Sequence, residues 1–417
     1  MDKLRIRGGR ELEGTVRIAG AKNAALPALA AALLTEGEIA YSNVPMLRDV
    51  RTMLRVLEHH GARVENGTRD SVKVQVGSIG SHEAPYDLVK TMRASVLVLG
   101  PLLARCGRAR VSMPGGCAIG ERPIDIHLDA LANMGAEVHL EHGYVEARAK
   151  RLKPADYTFP LVTVTGTENL MMAAALTEGT SVFRNCAREP EVVDLAVLLN
   201  AMGAEVEGAG TGVMRISGRR ELGGADHPVI PDRVEAATYL MAGALACRRL
   251  EVAGCRPEDL KAALALLEAA GVPVTVGENS IVVSRPKNLV AVDVATAPHP
   301  GFPTDMQAQY MALATQAQGV SKITENIFES RFMHVSELRR LGAKINIEGQ
   351  TAEVEGPATL AGAQVMATDL RASASLVLAG LVADGVTVID RVYHLDRGYE
   401  PMEVKLGALG ASVERVK

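Results

Sequence analysis

The feature that most constrains the fold is a unit of about seventy residues that recurs six times along the chain. Each copy contains a Gly-Ala-x-Val-like turn between a helical pattern and a strand pattern, and successive turn glycines are 68 to 74 residues apart by subtraction. Self-similarity at a near-constant period indicates a fold assembled from one repeated supersecondary unit. The six turn glycines are Gly61, Gly135, Gly203, Gly271, Gly342 and Gly410.

Each repeat carries two different helical patterns. The first is almost continuously apolar, as at 26–34 and 376–382, and predicts a helix that is buried on all sides. The second, as at 192–202, is amphipathic and predicts a helix that covers one face of a sheet. The sequence therefore predicts an α/β fold of the inside-out barrel type, in which sheets surround buried helices and three repeats make each domain.

Length and proline placement predict the domain organisation. A chain of 417 residues is too long for one ordinary core, and Pro228 and Pro231 interrupt the pattern between the third and fourth repeats. The strand pattern at 14–18 precedes the first buried helix and is expected to complete a sheet of the C-terminal half. We predict one domain at 22–229 and a second at 1–21 plus 230–417, with a cleft between them.

Composition excludes several classes of function. The net charge of -4 lacks the basic excess of a nucleic-acid binder, and aromatic residues at 3% with no Trp offer few platforms for stacking bases. The charged N-terminus and the short apolar runs predict a cytoplasmic protein without membrane insertion. Five cysteines without a Cys-x-x-Cys pair argue against a disulfide framework and a zinc site, so we expect no metal.

Polar or charged residues stand at the start of every buried helix. A helix N-terminus carries partial positive charge, so a cation there opposes the dipole and favours an anionic ligand over simple capping. For Asp305, capping by that residue or by Thr304 explains the position equally well. These starts hold Lys22 and Asn23, Arg93, Glu168 and Asn169, Arg233, Asp305, and Arg371.

Three further arginines are candidates for ligand binding. Arg122, Arg331 and Arg397 each have a neighbouring acid in the sequence, which is equally consistent with a surface ion pair. Several cations at equivalent repeat positions together indicate a ligand with more than one anionic group, such as a phosphate with a carboxylate or a nucleoside diphosphate.

Cys117 differs from the other cysteines. It follows two glycines and precedes Arg122 in a predicted loop, a setting typical of an accessible thiol with a tuned pKa. Such a thiol acts as a nucleophile or as a general acid. The other four cysteines have apolar or uninformative surroundings and are interpreted as structural residues.

At this point the sequence resembles a known family over essentially its whole length. The matching motifs are AKNAALP at 21–27, KTMRAS at 90–95, PGGCAIGERPID at 114–125, AREPE at 187–191, PTDMQAQ at 303–309, ENIFESRFMH at 325–334 and DRGYE at 396–400. They resemble those of the UDP-N-acetylglucosamine 1-carboxyvinyltransferases, enolpyruvyl transferases of the EPSP synthase-like superfamily. The resemblance implies two globules of three repeats each with the substrate cleft between them.

The resemblance also implies a reaction and its participants. The 3-hydroxyl of UDP-N-acetylglucosamine would attack C2 of phosphoenolpyruvate, and the tetrahedral intermediate would then lose phosphate. Cys117 would deliver a proton to C3 of phosphoenolpyruvate and could form a covalent adduct, and Asp305 would act as the base or orienting group for the sugar hydroxyl. The implied partners are these two substrates alone, with no cofactor, and the implied state is a monomer.

The resemblance assigns binding roles residue by residue. Phosphoenolpyruvate would contact Lys22, Asn23, Arg122 and Arg397, with Asn23 also near the sugar nucleotide. The UDP-sugar would contact Arg93, Arg122, Pro123, Ile124, Asp125, Ile126, Asp305 and Ile327. Supporting positions near the reaction are Arg48, Arg331, Asp369 and Arg371.

Two departures from the family pattern and two alternatives stay open. Arg48 stands where many relatives have Lys, and the segment 161–166 is less typical of the nucleotide-contacting stretch, so we assign no site residue there. Cysteine at 117, where some relatives have Asp, predicts sensitivity to the epoxide antibiotic fosfomycin. The alternatives are enolpyruvyl transfer to shikimate 3-phosphate and a non-catalytic UDP-sugar-binding regulator.

Overall fold

The computed structural model describes residues 2–67, 70–90, 92–113 and 124–417. The chain divides into two compact units. The central unit comprises the described residues between 20 and 230, and the terminal unit comprises residues 2–19 and 231–417. Each unit has its own contiguous hydrophobic core.

The described residues form twenty-four strands, most of them short. The strands are β1 (Lys3–Arg7), β2 (Leu12–Arg17), β3 (Glu38–Ser42), β4 (Arg63–Asn66), β5 (Val72–Gln75), β6 (Glu83–Ala84), β7 (Arg108–Ser112), β8 (Glu137–Glu141), β9 (Tyr144–Arg148), β10 (Asp156–Thr158), β11 (Gly179–Arg184), β12 (Glu205–Glu207), β13 (Val213–Gly218), β14 (Ala225–Pro228), β15 (Cys247–Ala253), β16 (Val274–Val276), β17 (Ser280–Val283), β18 (Val294–Ala295), β19 (Gly319–Thr324), β20 (Lys344–Glu348), β21 (Thr351–Gly356), β22 (Gln364–Met366), β23 (Val386–Asp390) and β24 (Ser412–Val416).

The same residues form α-helices and short 3₁₀ helices. The α-helices are α1 (Lys22–Ala31), α2 (Arg48–His59), α3 (Tyr86–Val89), α4 (Leu99–Cys106), α5 (Asp125–Asn133), α6 (Val164–Ala175), α7 (Pro190–Ala201), α8 (Arg233–Ala246), α9 (Lys261–Ala269), α10 (Gln307–Ala314), α11 (Val335–Arg340), α12 (Leu370–Val382) and α13 (Met402–Ala408). The 3₁₀ helices span Ala32–Leu34, Arg93–Val98, Pro257–Leu260, Thr304–Met306 and Val392–Arg397.

The strands pair into six four-stranded sheets of one design, three in each unit. In every sheet one edge pair is parallel and the other two pairs are antiparallel. The central unit has the orders β14-β3-β5-β4, β6-β7-β9-β8 and β10-β11-β13-β12, and the terminal unit has β22-β23-β1-β24, β16-β17-β15-β2 and β18-β19-β21-β20. The predicted six-repeat architecture is confirmed.

The sheets enclose the helices, as the apolar patterns predict. Every residue of α8 is buried, and α12 is buried along nearly its whole length. The strands alternate between buried and more exposed residues, as in β13 and β17, so each sheet packs one face on the helices. One helix differs from its prediction: α7 is buried on most sides, because it packs against α1 and α6 as well as against strands.

The N-terminal residues complete two sheets of the terminal unit. β2 pairs in parallel with β15, and β1 lies between β23 and β24. The expectation for 14–18 is therefore confirmed, and β1 is a strand that the sequence pattern did not reveal. Backbone pairing to the N-terminal segment satisfies hydrogen-bonding groups that two sheets of the terminal unit would otherwise leave open.

The six turn glycines share one backbone conformation. All have a positive φ, between 84° at Gly271 and 107° at Gly203. Each glycine lies two residues after the last residue of the second helix of its repeat. A left-handed residue ends a helix with little strain only when it lacks a Cβ atom. The repeated glycine is therefore required by the turn from helix to strand in every repeat.

Candidate active site

In the terminal unit, two arginines share the carboxylate of Asp305. Arg331 Nη2 donates to Asp305 Oδ1 over 2.7 Å, and Arg371 Nε donates to Oδ2 over 3.2 Å. Both arginine side chains are almost fully buried, whereas 27% of the Asp305 side chain is exposed. Each carboxylate oxygen has lone pairs beyond the one that accepts from arginine, so Asp305 can still accept from a hydroxyl.

Asp305 does not cap its helix. The residue before the 3₁₀ helix Thr304–Met306 is Pro303, and no side chain caps this start. Thr304 instead accepts from Arg331 Nη1 over 2.7 Å and donates to Glu325 Oε2 over 2.9 Å. The capping explanation therefore fails at this position, because both Thr304 and Asp305 belong to a charged side-chain network.

Glu325 links this network to the following loop. Its Oε1 accepts from Thr296 Oγ1 and from the backbone N–H groups of Ile327 and Phe328, over 2.9 to 3.2 Å. The carboxylate thus fixes the backbone that presents the half-buried Ile327, one of the predicted nucleotide contacts. The loop then leads to Arg331, whose guanidinium carbon lies 5.2 Å from the centre of the Phe328 ring.

Asp369 and Arg371 stand at the start of α12. Asp369 Oδ1 accepts from the backbone N–H groups of Arg371 and Ala372, over 2.7 and 2.9 Å, so Asp369 is the helix cap. Burial lowers the pKa of Arg371, but Tyr399 and Asp305 outweigh it and the net pKa is raised, so the guanidinium is charged. Arg371 therefore faces Asp305 as a permanent cation.

His334 lies near the same charges without adding one. Burial lowers its pKa to about 4, against the opposing effect of Asp369. Its imidazole is 1% exposed and neutral at physiological pH. The positive charge around Asp305 therefore comes from Arg331 and Arg371 rather than from His334.

The acids that neighbour Arg397 in sequence are bound to other cations. Asp396 accepts from Arg415 over 2.7 and 3.0 Å, and Glu400 lies 3.2 Å from Lys405. Arg397 is half-buried at the end of the 3₁₀ helix Val392–Arg397. Both acids therefore bind cations that are distant in the sequence or on the following helix.

In the central unit, Lys22 begins α1 beside Asp49 of α2. Lys22 Nζ lies 3.5 Å from Asp49 Oδ2, and both side chains are over nine-tenths buried. No side chain caps the start of α1, where Asn23 is half-buried, and the N-terminus of a helix attracts anions. Arg48, the first residue of α2, is exposed.

Arg93 begins the 3₁₀ helix before α4. Its Nε and Nη1 atoms are buried and have no hydrogen-bond partner among the residues that the structure describes. A buried guanidinium without acceptors carries a desolvation cost that an anionic ligand would relieve. Of the predicted nucleotide contacts that follow, Ile124 is buried, Asp125 is exposed at the start of α5, and Ile126 is half-buried.

Three of the predicted site residues, Cys117, Arg122 and Pro123, lie outside the described residues. The four other cysteines are unpaired thiols. Burial raises the pKa of Cys186 and Cys255 to about 11, that of Cys247 to about 12, and also that of Cys106. These four thiols are protonated at neutral pH and poorly nucleophilic.

His127 follows the segment of Cys117, but its ring is used internally. Its Nδ1 lies 3.1 Å from Asn169 Nδ2 and its Nε2 3.3 Å from Thr165 Oγ1. Burial lowers the pKa of His127 to about 4, so the ring is neutral. Since the amide of Asn169 donates to Nδ1, the proton lies on Nε2, and the ring joins α5 to α6.

Sequence reasoning missed several residues that the structure places beside the predicted site residues. These are Thr304, Glu325, Gln309 and Tyr399 in the terminal unit and Asp49 in the central unit. The first four lie within the motifs at 303–309, 325–334 and 396–400, so membership of a motif was the available signal. In the described parts of the chain, no group of three His, Cys, Asp or Glu could hold a metal, and no helix is long and apolar enough to cross a membrane.

Solved structures identify the class of protein. The enolpyruvyl transferase NikO from Streptomyces tendae has a TM-score of 0.90 and 28% identity, with 100% of this chain and 99% of that chain covered. An EPSP synthase from Acinetobacter baumannii has a TM-score of 0.79 and 16% identity over the whole of both chains, which shows the shared fold. The fold is that of the enolpyruvyl transferase class.

Sequence comparisons define the family. The model of EPSP synthase (3-phosphoshikimate 1-carboxyvinyltransferase) matches residues 6–406. The UDP-N-acetylglucosamine 1-carboxyvinyltransferases of Geobacter metallireducens, Myxococcus xanthus and an Anaeromyxobacter species are 56%, 57% and 58% identical, each covering 100% of both chains. The chain belongs to the EPSP synthase family and, within it, to the family of UDP-N-acetylglucosamine 1-carboxyvinyltransferases.

Proposed function

We propose that this protein transfers the enolpyruvyl group of phosphoenolpyruvate to the 3-hydroxyl of UDP-N-acetylglucosamine and releases phosphate. The observation that carries the proposal is identity of 56–58% over the full length of relatives that bear the name of this reaction. The buried cations of both units support it, because both substrates are anionic.

The reaction proceeds by addition and elimination. The sugar hydroxyl oxygen bonds to C2 of phosphoenolpyruvate while its proton leaves, and C3 gains a proton to become a methyl group. The C2–O bond to phosphate then breaks, C3 loses a proton, and the enol ether double bond forms. We assign delivery of the proton at C3 to Cys117 and alignment of the hydroxyl to Asp305.

The geometry of Asp305 favours an orienting role. Two guanidinium groups hold its oxygens, so the carboxylate has one orientation in which to accept the substrate hydroxyl. Cys117 is assigned from the family pattern, because its segment lies outside the described residues.

Cations hold the anionic groups of the substrates in this proposal. Lys22, Arg122 and Arg397, with Asn23, bind the phosphate and carboxylate of phosphoenolpyruvate, where negative charge shifts during phosphate loss. The UDP-sugar contacts Arg93, Arg122, Pro123, Ile124, Asp125, Ile126, Asp305 and Ile327. The supporting residues Arg48, Arg331, Asp369 and Arg371 complete the proposed site, and no metal or organic cofactor takes part.

The proposal has a physiological part. The product is the first committed intermediate of peptidoglycan synthesis, so the protein serves wall growth, cell shape and division, and it acts in the cytoplasm as a monomer.

The decisive experiment is phosphate release from phosphoenolpyruvate with UDP-N-acetylglucosamine and shikimate 3-phosphate as separate acceptors. Release with the UDP-sugar alone is the expected result. Release with shikimate 3-phosphate alone would assign the other activity that the matching family model names. Binding of the UDP-sugar without phosphate release from either mixture would instead indicate a non-catalytic binding protein.

A further inference from the structure

Behind Asp305 lies a second group of polar side chains that the proposed mechanism does not use. Gln309 Nε2 lies 3.0 Å from the backbone oxygen of Asp305, 3.0 Å from Tyr399 Oη and 3.2 Å from Thr238 Oγ1. Thr238 Oγ1 and Tyr399 Oη are 2.9 Å apart, and Thr238 Oγ1 lies 2.8 Å from the backbone oxygen of Val234. Gln309, Thr238 and Tyr399 are at most 2% exposed, so water cannot substitute for these partners.

The orientation of the Gln309 amide follows from one of these contacts. A backbone carbonyl can only accept a hydrogen bond, so the atom facing the oxygen of Asp305 must be the amide nitrogen. With the amide turned over, two oxygens would face each other and the buried carbonyl of Asp305 would lose a donor. The amide oxygen of Gln309 accordingly points elsewhere, where it has no partner among the described residues.

The direction of every other bond then follows by counting protons. Thr238 has one hydroxyl proton, which the carbonyl of Val234 accepts, so the bond between Thr238 and Tyr399 must be donated by Tyr399. Tyr399 has then used its own proton and can only accept from Gln309. One amide proton of Gln309 thus goes to the carbonyl of Asp305, and the other goes to the hydroxyl pair, with Tyr399 Oη at 3.0 Å and Thr238 Oγ1 at 3.2 Å.

Tyr399 connects these hydrogen-bonded side chains to Arg371 and Asp305. The guanidinium carbon of Arg371 lies 5.3 Å from the centre of the Tyr399 ring, and Arg371 Nε donates to the carboxylate of Asp305. A Cβ atom on Gly398 would come within 2.2 Å of Leu370, so glycine lets the Tyr399 segment approach α12. Asp305, Gln309, Tyr399 and Arg371 therefore form a closed ring of contacts.

We infer that Gln309, with Tyr399, is a positioning residue for the transfer reaction, because it holds the backbone of Asp305 while Arg371 holds the carboxylate. The inference rests on the proposed function, in which Asp305 aligns the acceptor hydroxyl. A carboxylate that can rotate loses alignment in the transition state, so the effect falls on kcat more than on KM.

The test is Gln309→Glu, measured in the full-length protein with phosphoenolpyruvate and UDP-N-acetylglucosamine. A carboxylate at 309 cannot donate to the Asp305 carbonyl, and we expect kcat to fall by about 10-fold or more with little change in KM. Protonation restores one donor, so the ratio of variant to wild-type kcat should rise as the pH is lowered below neutral. A purely structural defect would not recover in this way.

Two further variants complete the experiment. Gln316→Glu removes a comparable donor to a carbonyl, that of Ala358, beyond the other end of α10 and should retain wild-type kcat. Tyr399→Phe keeps the ring beside Arg371 but removes the hydroxyl that accepts from Gln309 and hydrogen-bonds to Arg371. Because both bonds hold the surroundings of Asp305, this variant should lower kcat several-fold even if Gln309→Glu does not fold.

The outcomes separate the inference from the proposed function. Wild-type kcat in both Gln309→Glu and Tyr399→Phe, in a protein that performs the transfer, would overturn the inference alone. If kcat falls as much in Gln316→Glu as in Gln309→Glu, the inference is also overturned, because the effect would then not depend on a hydrogen bond to Asp305. Absence of transfer by the wild-type protein would overturn the proposed function and the inference with it.

Discussion

Arg371 and Asp305 form a contact between an almost fully buried guanidinium and a partly exposed carboxylate, with Nε and Oδ2 3.2 Å apart. Arg331 holds the other carboxylate oxygen. One carboxylate thus faces two buried cations, and 27% of its side chain is exposed. Stability and the proposed catalysis depend on the same carboxylate.

Asp305→Asn should therefore impair both properties. The neutral amide keeps the shape but removes the carboxylate that two buried guanidinium groups share, and the free energy of unfolding should fall by about 1–3 kcal/mol. Turnover should fall by roughly 100-fold, as the hydroxyl loses its charged acceptor. Denaturant unfolding and steady-state rates measure the two effects, with the exposed Asp293→Asn of the same unit as control. Unchanged rates would remove Asp305 from the reaction.

Cys117→Ser should nearly abolish turnover and leave binding of the UDP-sugar intact. A hydroxyl is a much weaker acid than a thiol and cannot replace it as proton donor. Rates and calorimetric binding measure the effect, and Cys106→Ser is the matched control. Wild-type turnover in Cys117→Ser would eliminate the proposed acid.

Cys117 should also be the thiol that reacts with fosfomycin. The four other cysteines have raised pKa values and stay protonated at neutral pH, so an electrophilic epoxide should modify one site. Intact mass and peptide mapping would show a single adduct that is absent in Cys117→Ser. Modification of a different cysteine would contradict this assignment.

Arg397→Ala should raise the KM for phosphoenolpyruvate or lower turnover, with little effect on UDP-sugar affinity. The reason is that a guanidinium binds phosphate or carboxylate with charge-assisted hydrogen bonds, each contributing about 1.5–3 kcal/mol. Steady-state kinetics with each substrate varied in turn would measure both KM values and turnover. The control is Arg285→Ala, because Arg285 is an exposed arginine of the same unit. An effect confined to UDP-sugar affinity would place Arg397 at the other substrate.

Gly410→Ala and Gly407→Ala should change stability in opposite directions. A Cβ atom meets nothing within 4 Å at either position, so sterics do not distinguish them. Gly410 has a φ of 99°, where alanine is strained, so Gly410→Ala should lower the free energy of unfolding by about 1–2 kcal/mol. Gly407 lies in α13, so Gly407→Ala should raise the free energy of unfolding by up to about 1 kcal/mol. Thermal unfolding of both variants tests this, and equal effects would contradict the role of the turn conformation.

His127 should make the folded state sensitive to acid. Its pKa is about 4 in the folded protein against 6.5 for an ordinary histidine, so between these values the unfolded chain binds the extra proton. Stability is complete above about pH 6.5 and should fall by up to about 1.4 kcal/mol per pH unit towards pH 4. Urea unfolding at a series of pH values should show a smaller slope in His127→Gln. The exposed His139→Gln should leave the slope unchanged, and an unchanged slope in both would argue against a buried neutral His127.

The local features of the fold were readable from the sequence for a physical reason. A left-handed turn needs glycine, and a helix enclosed by sheets needs apolar residues on every side. Each repeat therefore contains a glycine and an apolar segment at equivalent positions of the sequence. The six copies predicted six repeats, three in each domain, and the strand at 14–18 was assigned to the correct half. The amphipathic pattern of 192–202 predicted a helix that covers one face of a sheet, and this prediction was wrong, because α7 packs on two helices as well as on strands.

The partners of the charged residues were decided by tertiary structure. Asp305 meets Arg331 and Arg371 across 26 and 66 positions of sequence, and Gln309 meets Tyr399 across 90. Asp396 binds Arg415 and Glu400 binds Lys405, and neither cation is a sequence neighbour of its acid. The sequence by itself determined the repeat, its turns, its buried helices and its family, because these are local or recurrent patterns. Which charge meets which depends on how separate repeats pack, and only the folded chain determines that.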